Sequence, residues 1–222
     1  MAAMASLVQD VWLGWEPRLR ARRLAPWQEA PVRLVFHLDP GTTLDDPPVA
    51  DFLETAAERL EVVAVEPRGE GGSSGRLGAE VLEDARRLAH EAPRRFGRLP
   101  LVVGGYGVGG WVALALEGTQ GVAGTLALAP SLGAGARSGP ERGALHAALV
   151  AALATPSPGA PALVVEGRER PAEEASAVSE WLSPRAQAAR ISIPGKDTAC
   201  FAPPWPGVVV AWVEAVGRGA GG

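Results

Sequence analysis

An α/β fold is predicted, with a doubly wound, mostly parallel sheet of about six strands and helices on both faces. Three features of the sequence carry that expectation. Short β-rich apolar runs alternate with longer helical patterns from residue 31 onward. Most of the short runs are continuously apolar rather than alternating, as strands covered on both faces must be. The 222 residues, 47% of them hydrophobic, suffice for one sizeable core but not for several domains.

Val32–Leu38 is the first strand pattern, and a helix pattern follows over Val49–Leu60. Val62–Glu66 leads into Ala79–Phe96, Leu101–Gly104 into Gly109–Leu116, and Thr125–Ala129 into Glu141–Ala154. Ala162–Glu166 precedes the helix pattern Ala172–Leu182, and Arg190–Ile193 precedes Val208–Val216. Repeated βα units of this kind join parallel strands by right-handed crossovers and collect functional loops at the carboxyl ends of the strands. The main domain is assigned to residues 31–217, with 218–222 as a flexible, Gly-rich tail.

Residues 1–30 are expected to form a Trp- and Arg-rich helical extension. Leu7, Val8, Val11, Trp12 and Trp15 recur at helical spacing, and Arg18, Arg20, Arg22 and Arg23 follow them. Such a stripe either covers a sheet edge or docks on a partner. Val11, Trp12 and Trp15 are therefore the candidate contacts for a protein partner or for self-association.

Composition narrows the functional classes. A net charge of −4 argues against a nucleic-acid binder, which would show a basic excess. Cys200 is the only cysteine, so neither an intrachain disulfide nor a cysteine-based zinc site can be built. His90 and His146 lie on helix patterns without metal-ligand spacing and read as surface histidines, so no metal is expected. The amino terminus lacks a signal-peptide pattern, because Asp10 interrupts its apolar run. The uncharged stretches 99–116 and 118–136 are broken by glycines and Pro130, and read as strand–turn–helix units rather than membrane spans. A cytoplasmic, soluble protein is the expectation.

Three loops at strand ends carry the functional signal. His37-Leu38-Asp39-Pro40-Gly41 follows the first strand, and Glu66-Pro67-Arg68-Gly69-Glu70-Gly71-Gly72-Ser73-Ser74-Gly75 follows the second. Gly105-Tyr106-Gly107-Val108-Gly109-Gly110 follows the third and opens a helix. In order and spacing these resemble the α/β-hydrolase family, with its HGxPG, DxRGxGxS and GxSxGG loops. The resemblance spans residues 32–216. It implies a core reduced in two respects: no counterpart is evident for the family's first two antiparallel strands, and the stretch between Thr125–Ala129 and Ala162–Glu166 is too short for a lid domain.

The same resemblance locates three catalytic positions, and none holds a catalytic residue. Gly107 stands at the nucleophile, Arg170 at the acid in Gly167-Arg168-Glu169-Arg170-Pro171, and Thr198 at the histidine in Pro194-Gly195-Lys196-Asp197-Thr198. Glu169 and Asp197 each miss by one residue. Serine hydrolysis needs a hydroxyl, an imidazole and an orienting carboxylate together. The resemblance thus implies a degenerate member without the triad, a non-catalytic protein serving protein–protein interaction or binding a small acyl or apolar ligand, with no cofactor. His37, Leu38, Tyr106, Gly107 and Val108 would face that ligand, although Leu38 replaces the expected glycine.

Two alternatives stay open. A divergent esterase or thioesterase could use a displaced nucleophile, for which Ser73, Ser74, Ser131 and Cys200 are the candidates. Gly105, Gly107 and Gly110 also spell the dinucleotide-binding GxGxxG between a strand and a helix. That fingerprint calls for an acid at the end of the following strand, and Leu128-Ala129-Pro130 carries none.

Overall fold

The amino-terminal segment is a β-hairpin rather than a helix. In the computed structural model, which describes residues 7–14, 16–132, 139–154 and 160–220, Leu7–Leu13 (β1) pairs antiparallel with Leu19–Ala25 (β2). β2 then pairs antiparallel with Glu61–Val65 (β4), so the hairpin extends the sheet instead of covering its edge. A helix laid there would have left the backbone groups of β4 without ladder partners. The side chains obey the two-residue period of a strand. Leu19 and Ala21 enter the core, while Arg20 and Arg22 alternate with them and meet Asp10 and Asp45.

The six expected strands all form, and with the hairpin they make eight. The first is Arg33–His37 (β3), followed beyond β4 by Leu101–Tyr106 (β5), Val122–Leu128 (β6), Ala162–Gly167 (β7) and Ala188–Ile193 (β8). Their order is β1-β2-β4-β3-β5-β6-β7-β8, parallel from β4 to β8. The chain winds one way from β3 to β4 and the other way from β5 onward, so the direction changes between β3 and β5. Loops part there and leave a crevice at the carboxyl ends of the strands.

Helices Val81–Phe96 (α2), Val108–Leu114 (α3), Pro140–Leu153 (α4) and Ala172–Leu182 (α5) bury one face of the sheet. Pro47–Ala57 (α1) and Trp205–Ala220 (α6) bury the other. The apolar β3 and β4 are fully buried, which accounts for their continuous hydrophobic runs. Arg33 is the exception within β3. Its buried guanidinium pairs with Glu61 at 2.6 Å and donates to the carbonyls of Phe96 and Gly97, closing the end of α2. Between β6 and β7 the described residues contribute α4 and no lid.

The expected flexible tail is also corrected at its start. Residues 218–220 continue α6, and only 221–222 lie outside the described residues. Gly217 allows this close packing, since a Cβ there would fall 2.8 Å from Val32 Cγ1. Among the described residues, no helix is long and apolar enough to cross a membrane.

Candidate functional site

A cleft of about 270 Å³ opens over the carboxyl ends of β3, β5 and β6. Its polar lining includes Asp39 from the loop after β3, Tyr106 at the end of β5, Ser131 after β6, and Asp197 after β8. Helix α4 forms the opposite wall with Arg142, Leu145, His146 and Leu149. The spacing of those four, at i, i+3, i+4 and i+7, places them on one helical face. Leu77 and Val108 add to the apolar surface.

The turn between β5 and α3 has a conformation that a side chain adopts only under strain. Gly107 sits at φ 59°, ψ −124°, the left-handed side of backbone space. The residues on either side pack too closely to relax it. A Cβ on Gly109 would lie 2.7 Å from the carbonyl carbon of His37, and one on Gly105 would lie 2.8 Å from the amide nitrogen of Gly110. A strained turn between a strand and a helix has the geometry of a nucleophile elbow, and its central residue here is a glycine.

Another residue fills the space. Asp39 Oδ1 accepts a hydrogen bond from the Val108 amide at 2.7 Å. A Cβ added to Gly107 would stand 2.6 Å from Asp39 Cγ and 2.9 Å from Asp39 Cβ, and nearer still to Oδ1. The carboxyl thus occupies the room of the missing side chain. It also takes the amide that an acyl-transfer elbow would turn toward a developing oxyanion. A dinucleotide pyrophosphate needs amides of this turn as well, and would meet a carboxylate on one of them.

Burial pushes the Asp39 carboxyl up to about 6, against the pull of the Val108 amide and of Arg142. Between about pH 4 and 6 the folded protein therefore holds a proton that the unfolded chain has released. The stability associated with that proton is fully present below about 3.8 and is lost as pH rises through about 6. Asp39→Asn, neutral at every pH, is expected to stabilise the protein by about 3 kcal/mol above pH 7 and by only about 0.5 kcal/mol at pH 4. Urea titrations at the two pH values measure the difference; an equal effect at both would contradict it.

The two other positions of the expected triad, Arg170 and Thr198, hold an ion-paired cation and an exposed hydroxyl. Arg170 is buried, its side chain 2% exposed, among carboxylates. It pairs with Glu166 and, at 3.1 Å, with Glu174, and its Nε lies 4.0 Å from Asp197. Arg190 binds Glu166 from the other side. Asp197 accepts from the Gly167 amide at 2.9 Å, and its carboxyl is raised by burial. Thr198 is exposed within the short 3-10 turn Asp197–Phe201.

Of the residues expected to face a ligand, Tyr106, Gly107 and Val108 line the cleft. His37 and Leu38 are buried at the end of β3 and are not among its lining residues. Burial lowers the His37 imidazole to about 4, with Asp84 opposing the shift, and its Nε2 has no hydrogen-bond partner among the described residues. Tyr106 is pushed up to about 12 by burial, with Cys200, Asp39 and Asp197 adding to the shift, so its hydroxyl stays protonated.

The candidate substitute nucleophiles separate clearly. Ser73 Oγ accepts from the Arg20 amide at 2.8 Å and donates to the Glu66 carbonyl. Ser74 Oγ accepts from the Arg18 amide at 2.8 Å. Both fasten the loop after β4 to β2. Cys200 is fully buried and its thiol is raised to about 12, chiefly by desolvation. Only Ser131 among the four lines the cleft, donating to Glu174 Oε1.

Sequence reasoning passed over three cleft residues. Asp39 occupies the variable place of the HGxPG-like loop, where no chemistry is expected. Asp197 counted only as a near miss. His146 read as a surface histidine, although the spacing of Arg142, Leu145, His146 and Leu149 was available as a clue to a wall. Its Nδ1 is buried at the cleft without a hydrogen-bond partner among the described residues.

The expected interaction residues lie elsewhere. Val11 packs on the core, while Trp12 is 45% exposed, with Arg18 stacked 4.8 Å from its ring centroid. Trp15 lies outside the described residues.

No protein-family model and no curated protein matches the chain. Solved structures do. An esterase of Pyrococcus furiosus superposes with a TM-score of 0.73 at 15% identity, over 96% of this chain and 92% of that one. A serine hydrolase without lid from Xanthomonas campestris gives 0.69 at 17% identity, over 97% and 95%. A predicted hydrolase of Thermoplasma acidophilum gives 0.67 at 15% identity, covering 95% of this chain and all of its own. Likeness at such identities establishes the fold, which is that of the lidless α/β-hydrolases.

Proposed function

We propose that this protein uses an α/β-hydrolase fold without serine acyl transfer, and that its cleft binds a small molecule with an apolar or acyl body. One observation carries the reading: the Asp39 carboxyl occupies both the nucleophile's space and the Val108 amide. Restoring a hydroxyl at position 107 alone would not rebuild the chemistry, because Arg170 and Thr198 supply neither an acid nor an imidazole. The leucines of the cleft suit an apolar body, and its few polar groups suit one anchoring head. Association through the edge strand β1, with Leu7, Val8 and Trp12 exposed, belongs to the same proposal.

Intact-mass measurement after treatment with a serine-reactive fluorophosphonate tests it. No adduct is expected under conditions that fully label a serine hydrolase. A stoichiometric adduct on native protein, absent after heat denaturation, would overturn the reading in favour of a divergent hydrolase. Ser131 favours that second reading, since it is the one candidate hydroxyl in the cleft and is bonded to a carboxylate. Loss of the adduct in Ser131→Ala would establish it.

A further inference from the structure

We propose that Asp39 is a general base, which takes a proton from carbon in a small, largely apolar ligand seated in the cleft. The inference rests on the ligand-binding reading above and goes beyond it by assigning a reaction class.

Position comes first. The carboxylate is delivered to the cleft by the loop after β3 and fixed there by the Val108 amide at 2.7 Å. The hydrogen bond orients the base. Leu77, Leu145 and Leu149 line the same cleft and offer a ligand's C–H apolar surroundings. A carboxylate poor in water is a stronger base than one in solution. Burial has already moved Asp39 in that direction, to about 6, where it remains ionised at neutral pH.

Chemistry then separates this role from nucleophilic attack. If Asp39 attacked an acyl or alkyl carbon, hydrolysing the resulting ester would require an amide to hold the tetrahedral oxyanion. The Val108 amide is already engaged by the same carboxyl. Proton transfer makes no such demand. The C–H bond breaks, its proton passes to Asp39, and its electron pair moves to an electronegative atom of the ligand. Water then returns Asp39 to its ionised state. For a carbonyl compound with an acidic α-hydrogen the receiving atom is the carbonyl oxygen. Tyr106, protonated to about pH 12, and His146, with its unpartnered Nδ1, line the same cleft as hydrogen-bonding groups for that oxygen.

5-Nitrobenzisoxazole tests the assignment with the full chain. Its C3 proton passes to the base, the C–H pair becomes the third bond of a nitrile, and the N–O bond breaks to leave a phenolate that absorbs in the visible. Saturable turnover is expected, and Asp39→Asn should lower it by about 100-fold or more, the usual contribution of a general base. Asn keeps an oxygen for the Val108 amide, and thermal melting verifies that the variant is folded. The rate should rise with pH through about 6 and then level. The charged and titratable groups that act on Asp39 are Glu70 after β4, Tyr106 on β5 and Arg142 on α4, and His146 on α4 and Asp197 after β8 line the same cleft. Loss of the rate in His146→Gln with Asp39→Asn unaffected would overturn the proposal.

Calorimetric titration of the probe separates the two readings. A probe that binds but reacts no faster than in buffer, or equally fast with Asp39→Asn, overturns the base and leaves ligand binding standing. A probe that neither binds nor reacts overturns both.

Discussion

Gly107→Ser is expected to destabilise the protein by roughly 2–6 kcal/mol, and about half of the loss should be recovered by Asp39→Gly in the same chain. Two costs combine at this position. A side chain at φ 59°, ψ −124° is strained by about 1–3 kcal/mol, a cost borne by any residue other than glycine. Overpacking against Asp39, whose Cγ would lie 2.6 Å from the new Cβ, adds a cost of similar size. Asp39 can avoid the contact only by giving up the Val108 amide, worth about 1 kcal/mol. Removing the Asp39 side chain eliminates the second cost and leaves the first. Urea unfolding of the two single variants and the double should therefore yield a coupling of about 1–3 kcal/mol. Additive effects would mean that Asp39 does not occupy the elbow.

Arg170→Ala is expected to cost about 3–5 kcal/mol, the penalty for stranding buried charge. The guanidinium is the shared partner of Glu166 and Glu174 and lies near Asp197, so its removal leaves three carboxyls facing one another. Arg190 compensates in part, at Glu166 alone. Arg170→Asp would restore the residue class that the fold's acid position ordinarily carries. Here it should be the worse substitution, because it adds a fourth carboxyl to the group. Chemical denaturation at neutral pH gives both values, and an Asp variant at least as stable as the Ala variant would contradict this account.

How much of this was legible in the residues depends on how far apart the interacting groups lie. The six strands from Val32 to Ile193 and their helices are written in contiguous windows, where apolar runs and 3.6-residue spacing suffice. The amino-terminal hairpin was not. Leu7, Val8, Val11 and Trp12 fit a helical stripe, whereas in the edge strand only Val11 and Leu13 turn toward the core and Leu7, Val8 and Trp12 stay exposed. The choice was made by β4, whose free edge lies about 40 residues further along the chain.

The sequence by itself determined the chemistry of three loop positions: Gly107 has no side chain, and Arg170 and Thr198 bring neither a carboxylate nor an imidazole, whatever their surroundings. Only the tertiary structure decided what packs against Gly107. Asp39 and Val108 are 69 residues apart in sequence, and no periodicity relates them. They meet because β3 and β5 are adjacent parallel strands whose carboxyl ends open on the same crevice. That adjacency brings a carboxyl into a space sized for another residue's side chain. It also deprives the carboxyl of water, and so raises its pKa above that of an ordinary loop aspartate.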